Sequence, residues 1–214
     1  MTSKKKSSNN SDKSEPSFKI ITLGNSGVGK SSIIKRFISD KFEAKTISTI
    51  GFGSFNKEIT LKNGKNIKLN LIDTAGQENY KALSISYIKN ADGVLFVYAY
   101  DDPKSFEEIT GWIQSFKENT KVDFQDKLPA ILVGNKNDLE LKIGKEEIDK
   151  LKEKYNFYDN FDTSAKDGKN INEVFQRMGE MLIQINSKKK GKQNLKLVQN
   201  QKKGRGCTNC GGDM

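Results

Sequence analysis

The sequence has no histidine, and its only two cysteines, Cys207 and Cys210, lie close to its last residue. No disulfide framework can therefore support the fold, and a zinc or redox site has few candidate ligands. The longest apolar run, 93–100, is far shorter than the ~20 residues needed to cross a bilayer, and it predicts a buried strand. The Lys-, Ser- and Asn-rich start of the chain lacks the apolar core of a secretory signal. We therefore expect a protein that is made and kept on the cytosolic side.

Acidic residues are scarce at both ends of the chain, and this scarcity accounts for most of the net charge of +10. Residues 187–214 carry eight Lys or Arg against one Asp, and residues 1–17 carry four Lys against one Asp and one Glu. The body of the chain, 18–186, is therefore nearly neutral. Charge in polar tails concerns partners rather than fold. We expect one folded domain over 18–186, between a disordered polar N-terminal tail and a disordered basic C-terminal tail.

A glycine-rich turn between an apolar strand and a helical run is the most informative stretch. It matches G-x-x-x-x-G-K-[ST], the pattern of a phosphate-binding loop, and follows the apolar segment 18–23. Its glycines let several backbone N–H groups face one anion, and the next helix adds the positive end of its dipole. Lys30 supplies a charge for the outer phosphates, and the Ser31 hydroxyl is a ligand suited to Mg²⁺. The predicted nucleotide contacts are Gly24, Asn25, Ser26, Gly27, Val28, Gly29, Lys30, Ser31 and Ser32.

Apolar strands alternate with helical segments along the rest of the body. The predicted strands are 18–23, 52–61, 67–72, 93–99, 130–134 and 157–163, and the predicted helices are 32–39, 103–116, 145–155 and 170–185, with a weak helix ending near residue 89. Asn63-Gly64 is typical of a tight hairpin turn, so the second and third strands should be antiparallel neighbours. This pattern predicts an α/β fold: a mostly parallel six-stranded sheet with one antiparallel strand and helices on both faces. Ligands of such sheets bind at the carboxyl ends of the strands.

The loop after the third predicted strand reads Asp73-Thr74-Ala75-Gly76-Gln77-Glu78. Asp73 at the strand end can hold Mg²⁺, usually through water, opposite Ser31. Gly76 lets its own N–H approach a γ-phosphate closely. Gln77 can orient an attacking water by hydrogen bonding without being a strong base. Alone, the motif would be a surface turn; after a phosphate-binding loop, it indicates hydrolysis of a nucleoside triphosphate.

Two further polar loops predict which base is bound. In Asn135-Lys136-Asn137-Asp138, the Asp138 carboxylate can accept two hydrogens from one base edge. Guanine offers N1–H and N2–H₂ side by side and adenine does not, so ATP would leave this carboxylate unpaired. Lys136 can lay its stem over the base, and Asn135 can bond both the base and the phosphate-binding loop. Ser164-Ala165-Lys166, after the last strand, offers a backbone N–H to guanine O6.

Together these motifs resemble the guanine-nucleotide boxes of Ras-like small GTPases, and the chain is most similar to a Rab protein. The five boxes are Gly24–Ser31, Thr49, Asp73–Glu78, Asn135–Asp138 and Ser164–Lys166. Further Rab-like positions are Ser26, Arg36-Phe37, Lys41-Phe42, Ile47 to Gly51, Ser105-Phe106, Trp112 and Thr163 to Lys166. The resemblance covers about residues 18–186. It implies a P-loop-type G domain that binds GTP or GDP with Mg²⁺ and hydrolyses GTP slowly, with Lys30 and Gln77 as catalytic side chains.

The resemblance also implies roles for residues in two switch segments. Thr49, in switch I, would coordinate Mg²⁺ together with Ser31 and Asp73, and Phe42 would pack edge-on against the guanine. Residues 73–81 would form switch II. Contacts of switch I that depend on the γ-phosphate would vanish on hydrolysis, which makes the protein a two-state signal. The resemblance further implies a monomer recognised by an exchange factor, by effectors and by an activating protein that lends a charge in trans.

Two departures from the Rab pattern concern the surface that effectors contact. Ile50-Gly51-Phe52-Gly53-Ser54 stands where Rab proteins usually have Ile-Gly-Val-Asp-Phe. Ile72 replaces the Trp that usually precedes the Asp-Thr-Ala-Gly box. Tyr80 and Tyr87 remain, so the aromatic surface is incomplete. We expect atypical effector choice with switching intact.

The C-terminal tail predicts lipid attachment at Cys207 and Cys210. Neither cysteine is fourth from the end, so the tail does not match the farnesyl-type box. One lipid anchors weakly, so we expect two geranylgeranyl groups, or one lipid assisted by the basic cluster 188–190. This would place the protein on the cytoplasmic face of an intracellular membrane, cycling with the cytosol. An unlipidated, soluble switch stays open as an alternative, whereas a metal or redox pair is disfavoured because the chain has no histidine and no second Cys pair.

Two other classes of function fit parts of the sequence. A constitutively GTP-bound interaction protein would not need Gln77. A nucleic-acid binder could use the basic ends, but the neutral body and the lack of interleaved basic and aromatic residues in 187–214 argue against specific recognition. We therefore expect a GTP-hydrolysing switch that acts in vesicle and membrane trafficking.

Overall fold

The computed structural model describes residues 15–43, 51–75, 88–120 and 128–203, with residues 190–203 described by their backbone alone. Within these ranges six strands form one sheet: β1 Ser17–Leu23, β2 Phe52–Thr60, β3 Asn66–Thr74, β4 Gly93–Ala99, β5 Leu128–Asn135 and β6 Phe157–Asp162. The helices are α1 Lys30–Ser39, α2 Pro103–Glu107, α3 Ile109–Asn119, α4 Lys145–Tyr155 and α5 Ile171–Lys203.

The strand order is β2-β3-β1-β4-β5-β6, and β2 is the one described strand that runs antiparallel to its neighbour. The β2–β3 hairpin closes where the Gly64 N–H donates to the Leu61 carbonyl and the Leu61 N–H donates to the Lys65 carbonyl, both at 2.8 Å. The predicted α/β fold with a mixed six-stranded sheet is confirmed. Because the other five strands are parallel, the loops that follow them meet at one edge of the sheet.

Two apolar clusters, one on each face, bury the sheet between helices. In β1, Ile20 belongs to the cluster beneath α1 and α5, whereas Ile21 belongs to the cluster beneath α3 and α4. Phe37 of α1 stacks on Phe175 of α5, with ring centroids 3.9 Å apart. All seven residues of β4 are buried because helices cover both of its faces. This explains why β4 is a continuous apolar run rather than an alternating one.

The predicted helix 103–116 is two helices in the structure. The Asp102 side chain caps the short α2 by accepting the Ser105 N–H at 3.4 Å. At Glu108 the backbone N–H is shared between the carbonyls of Lys104 and Phe106, and α3 begins at the next residue. The apolar periodicity continues across this break, so the sequence pattern alone cannot reveal it.

Helix α5 is longer than the sequence predicts. Its buried side chains end at Leu182, close to the predicted end at residue 185, but its backbone stays helical to Lys203. The structure therefore corrects the expectation of disorder for residues 187–203. That expectation rested on the loss of apolar residues, whereas Lys, Gln and Leu favour a helix even without burial. None of the described helices is both long and apolar enough to cross a membrane.

Candidate nucleotide-binding site

The loop between β1 and α1 is tightly packed near both of its ends and exposed in the middle. Gly24 has a φ of 147°, and a Cβ on it would lie 2.0 Å from the carbonyl oxygen of Val97 in β4. Gly29 has a φ of 96°, and a Cβ on it would lie 2.2 Å from the Asn135 Nδ2 atom. Neither position can carry a side chain. Residues 26–27 are exposed, so the loop presents its backbone to solvent between two fixed points.

Lys30, at the start of α1, folds back onto this loop. Its side chain is buried, and its Nζ donates to the Gly24 carbonyl at 2.8 Å and to the Asn25 carbonyl at 2.7 Å. Burial lowers the pKa of Lys30 to about 8, although the charge of Asp73 opposes this shift. An ammonium group that has lost its water is stabilised by an anion nearby, so this cradle fits a phosphate.

The end of β3 places Asp73 beside the same loop. Asp73 is buried, and two threonines fix the strand ends around it. The Thr22 Oγ1 donates to the Ile72 carbonyl at 3.1 Å, and the Thr74 Oγ1 donates to the Thr22 carbonyl at 2.6 Å. Ser31 follows Lys30 in the first turn of α1 and is half-buried. The carboxylate of Asp73 and the hydroxyl of Ser31 are the hard oxygen donors that Mg²⁺ prefers, so these residues fit that ion.

Asn135, at the end of β5, joins the phosphate-binding loop to the polar loops beside it. Its side chain is buried, and its Nδ2 donates to the Val28 carbonyl at 2.8 Å. Its Oδ1 accepts the Ala165 N–H at 3.2 Å and the Thr163 hydroxyl at 3.4 Å. One buried amide thus fixes the spacing between the loops that follow β1, β5 and β6. Because the Ala165 N–H already has this acceptor, a base carbonyl would have to share it.

Asp138 lies three residues after Asn135, and its ionised carboxylate is held in place by neighbouring side chains. Its Oδ1 accepts the Ser164 hydroxyl at 2.7 Å, and its Oδ2 lies 3.5 Å from the Lys166 Nζ. Burial alone would raise the pKa of Asp138, but hydrogen bonds from Ser164 and the backbone, with the charge of Lys166, hold this pKa below its ordinary value. At neutral pH the carboxylate is therefore charged and can only accept hydrogen bonds.

Lys136 spans the gap between the ends of β5 and β4. Its backbone has a φ of 63°, and its Nζ lies 3.2 Å from the Asp101 Oδ1, just after β4. This ion pair holds the far end of the side chain, while the backbone holds the near end. The methylene stem between them offers an apolar surface on which a planar base can lie.

Residues 19–184 of the chain match the model described as the Ras family. The chain belongs to the Ras family. This Ras-family protein is 39% identical over 168 residues to the Ras-related protein Rab-13 of Bos taurus. The aligned residues make up 78% of the chain and 80% of Rab-13. It is 34% identical over 176 residues to the Ras-related protein SEC4 of Saccharomyces cerevisiae, with 82% of the chain and 80% of SEC4 aligned. It is 38% identical over 192 residues to the Ras-related protein RabC of Dictyostelium discoideum, with 86% of the chain and 90% of RabC aligned.

The predicted kinship is thereby confirmed: the protein is a Rab-like small GTPase. The described part of the GTPase brings its predicted site residues together at the carboxyl ends of four strands. The phosphate-binding loop follows β1, Asp73 is the last residue but one of β3, Asn135 ends β5, and Ser164 to Lys166 follow β6. Each strand thus contributes one motif to the same edge of the sheet.

Five residues that were predicted to bind nucleotide or Mg²⁺, to act in catalysis or to carry lipid lie outside the described ranges: Thr49, Gly76, Gln77, Cys207 and Cys210. Their roles stay predictions. Phe42 is described; it is 39% exposed and lines a cleft of about 360 Å³ between α1 and β2, together with Ile38 and Phe55. Its packing against guanine also stays a prediction.

Two residues that had no predicted role make hydrogen bonds at or next to the site of the GTPase. The Trp112 Nε1 donates to the Asn25 Oδ1 at 3.0 Å, from α3 to the phosphate-binding loop. The Tyr100 hydroxyl donates to Asp162, just before the loop that follows β6. Burial, and then this hydrogen bond, raise the pKa of Tyr100, so it is a neutral donor at physiological pH. In the sequence Tyr100 looks like an ordinary core position and Trp112 is only a Rab-like position on a helix, and no local signal reveals either polar contact.

Proposed function

We propose that this protein is a molecular switch that binds GTP and GDP with Mg²⁺, hydrolyses GTP slowly, and acts in vesicle and membrane trafficking. The observation that carries the proposal is the buried Asn135 amide, which ties the phosphate-binding loop to the loops after β5 and β6. Because one side chain ties the phosphate cradle to the loops proposed to recognise the base, a single nucleotide could contact both. The kinship with Rab proteins supports the trafficking role.

At the phosphate end, Lys30 would hold the outer phosphates while the loop backbone surrounds them. Ser31, Thr49 and Asp73 would hold Mg²⁺, which supplies positive charge to the phosphate oxygens. Gly76 would donate its N–H to the γ-phosphate, and Gln77 would orient the attacking water. Because no side chain here is a strong base, an activating protein that supplies a charge in trans would speed hydrolysis by ~10³–10⁵.

At the base end, Asp138 would accept both N1–H and N2–H₂ of guanine. Adenine presents no such pair of donors, so its binding would leave a charged, largely buried carboxylate without them. Lys136 would cover one face of the base with its stem, and Lys166 would keep Asp138 ionised. Ser164 would hold the Asp138 carboxylate in plane, because its hydroxyl already donates to it at 2.7 Å.

The binding proposal is tested by titrating nucleotide-free, full-length protein with GDP, ADP and XDP. We expect GDP to bind more than about a thousandfold more tightly than ADP, in line with sites built to bond a donor that the competitor lacks. Asp138→Asn presents an amide in place of the carboxylate and should favour XDP over GDP, because xanthine carries a carbonyl where guanine carries N2. Glu140→Gln, an exposed change on the same loop, should leave the affinities as they are. Equal affinity for GDP and ADP would refute the proposal.

Hydrolysis and lipid attachment separate the proposed switch from its alternatives. Single-turnover hydrolysis of bound GTP is expected, and no hydrolysis over hours would indicate a constitutively GTP-bound interaction protein. The intact mass of protein from its own cells should show two geranylgeranyl groups on Cys207 and Cys210. Unmodified cysteines would instead indicate a soluble switch with cytosolic partners.

A further inference from the structure

Trp112 is a buried residue of α3 that contacts the phosphate-binding loop through its polar edge. Only 4% of its surface is exposed, and its Nε1 lies 3.0 Å from the Asn25 Oδ1. Ile109, Ile113 and Phe116 on the same helix face are apolar and pack in the cluster beneath the helix. Apolar packing alone would be served by any large hydrophobic residue, whereas a buried indole N–H needs an acceptor. The acceptor it uses is a side chain of the loop itself.

Asn25 is held at two separate atoms. Its side chain accepts from Trp112, and its backbone carbonyl accepts from the Lys30 Nζ at 2.7 Å. The peptide unit between Asn25 and Ser26 is planar, so fixing that carbonyl also fixes the direction of the next N–H. These two contacts therefore hold Asn25 in a single orientation, directly before the exposed residues 26–27 of the loop.

The three fixed points of the loop come from different parts of the fold. Gly24 lies against the Val97 carbonyl in β4, and Val28 is held by Asn135 at the end of β5. Of these three positions, Asn25 is the one whose contact comes from a side chain of a helix, Trp112 in α3. A loop ordered in this way before the ligand arrives loses little conformational freedom on binding, which favours tight binding.

We infer that Trp112 is a positioning residue for phosphate binding: its indole N–H holds Asn25 and thereby fixes the loop backbone that surrounds the phosphates of the nucleotide. This inference rests on the proposed function. Loss of the hydrogen bond leaves the fold intact, because the ring still fills its place beneath α3. It frees the loop near Asn25, and bound nucleotide then dissociates faster.

The test is a double-mutant cycle on full-length protein loaded with radiolabelled GDP. Trp112→Phe removes the donor and keeps an aromatic ring, and Asn25→Ala removes the acceptor. Each single change should speed GDP dissociation by about three- to tenfold, the effect of losing one neutral hydrogen bond. Because both changes remove the same bond, the double variant should release GDP no faster than the faster single variant.

Phe116→Leu is the matched control, because Phe116 is fully buried on the same helix and its described ring contact is with Phe96 of β4 rather than with the loop. It should lower the free energy of unfolding without changing GDP dissociation. The inference is overturned if Trp112→Phe leaves dissociation unchanged, if the effects of the two single changes multiply, or if Phe116→Leu speeds release equally. A wild-type protein that retains no guanine nucleotide would overturn the proposed function, and the inference with it.

Discussion

Among single residues, Lys30 shows how burial can prepare a charge for one ligand. Its Nζ has exchanged water for the carbonyls of Gly24 and Asn25, and its pKa in the protein is about 8. Phosphate oxygens next to the ammonium would favour the charged form and raise that pKa. The proton equilibrium of Lys30 is therefore linked to nucleotide binding.

This linkage predicts how GDP affinity depends on pH. Well below pH 8 Lys30 is mostly charged in both the free and the bound protein, so affinity should be nearly independent of pH there. Above pH 8 the free protein loses the proton that the complex needs, so affinity should fall. We expect binding at pH 8.5 to be about fourfold weaker than at pH 7, by calorimetry on the wild-type protein.

Lys30→Ala is the control for that pH series. It should bind GDP more weakly than the wild type, but it retains every other group that titrates, including those of the base. Its affinity should therefore change much less between pH 7 and pH 8.5. A slope that is equal in both proteins would assign the pH dependence to a group other than Lys30.

At the scale of elements, the junction between β4 and α2 depends on one hydroxyl. Ser105 is fully buried; its Oγ accepts the Ala99 N–H at 3.0 Å and donates to the Asp102 carbonyl at 2.6 Å. It thus connects the last residue of the central strand to the cap of the next helix. Asp101, which holds Lys136, lies within this junction.

Ser105→Ala should destabilise the fold by about 1–3 kcal/mol, because it deprives a buried N–H of this acceptor. Urea unfolding monitored by circular dichroism measures the loss. Ser39→Ala is the matched control, since the Ser39 hydroxyl is exposed and bonds only a helix carbonyl among the contacts described for it. That change should cost less than about 0.5 kcal/mol. Similar small losses in both variants would show that the junction does not depend on Ser105.

The elements also show where sequence reasoning succeeds and where it stops. The strands and the hairpin at Asn63-Gly64 follow from local patterns of apolar residues and turn residues, and the structure has them within a few residues. The break at Glu108 leaves the apolar periodicity intact, so no local pattern marks it. The contact between Trp112 and Asn25 joins residues 87 positions apart. A tryptophan on an apolar helix face predicts burial, but it does not reveal which polar group its N–H will meet.

At the scale of the whole molecule, α5 has two halves. The first half packs in the core, and none of the side chains described in the second half is buried. Its buried residues are Ile171, Val174, Phe175, Met178, Met181 and Leu182. Lys188 and Lys189 are exposed, and the helix continues to Lys203. Its 33 residues correspond to a length of about 50 Å. The domain therefore ends in a basic helix where the sequence indicates a flexible tail.

A chain that ends at Ser187 should keep the free energy of unfolding of the full-length protein within about 0.5 kcal/mol. Its far-ultraviolet circular dichroism should show less helix, because the part after Ser187 is removed. Met178→Ala, which truncates a fully buried side chain of the same helix, should cost about 2–5 kcal/mol. Lower stability of the shortened chain would show that residues after Ser187 contribute to the stability of the fold.

Trp112 is the only tryptophan of the chain. Its indole lies against the loop proposed to hold the phosphates, and its hydrogen bond ends on that loop. Light that excites tryptophan selectively over the six tyrosines would therefore report on one place in the molecule. The protein thus contains its own optical probe, with which nucleotide exchange can be followed in real time on an unlabelled chain.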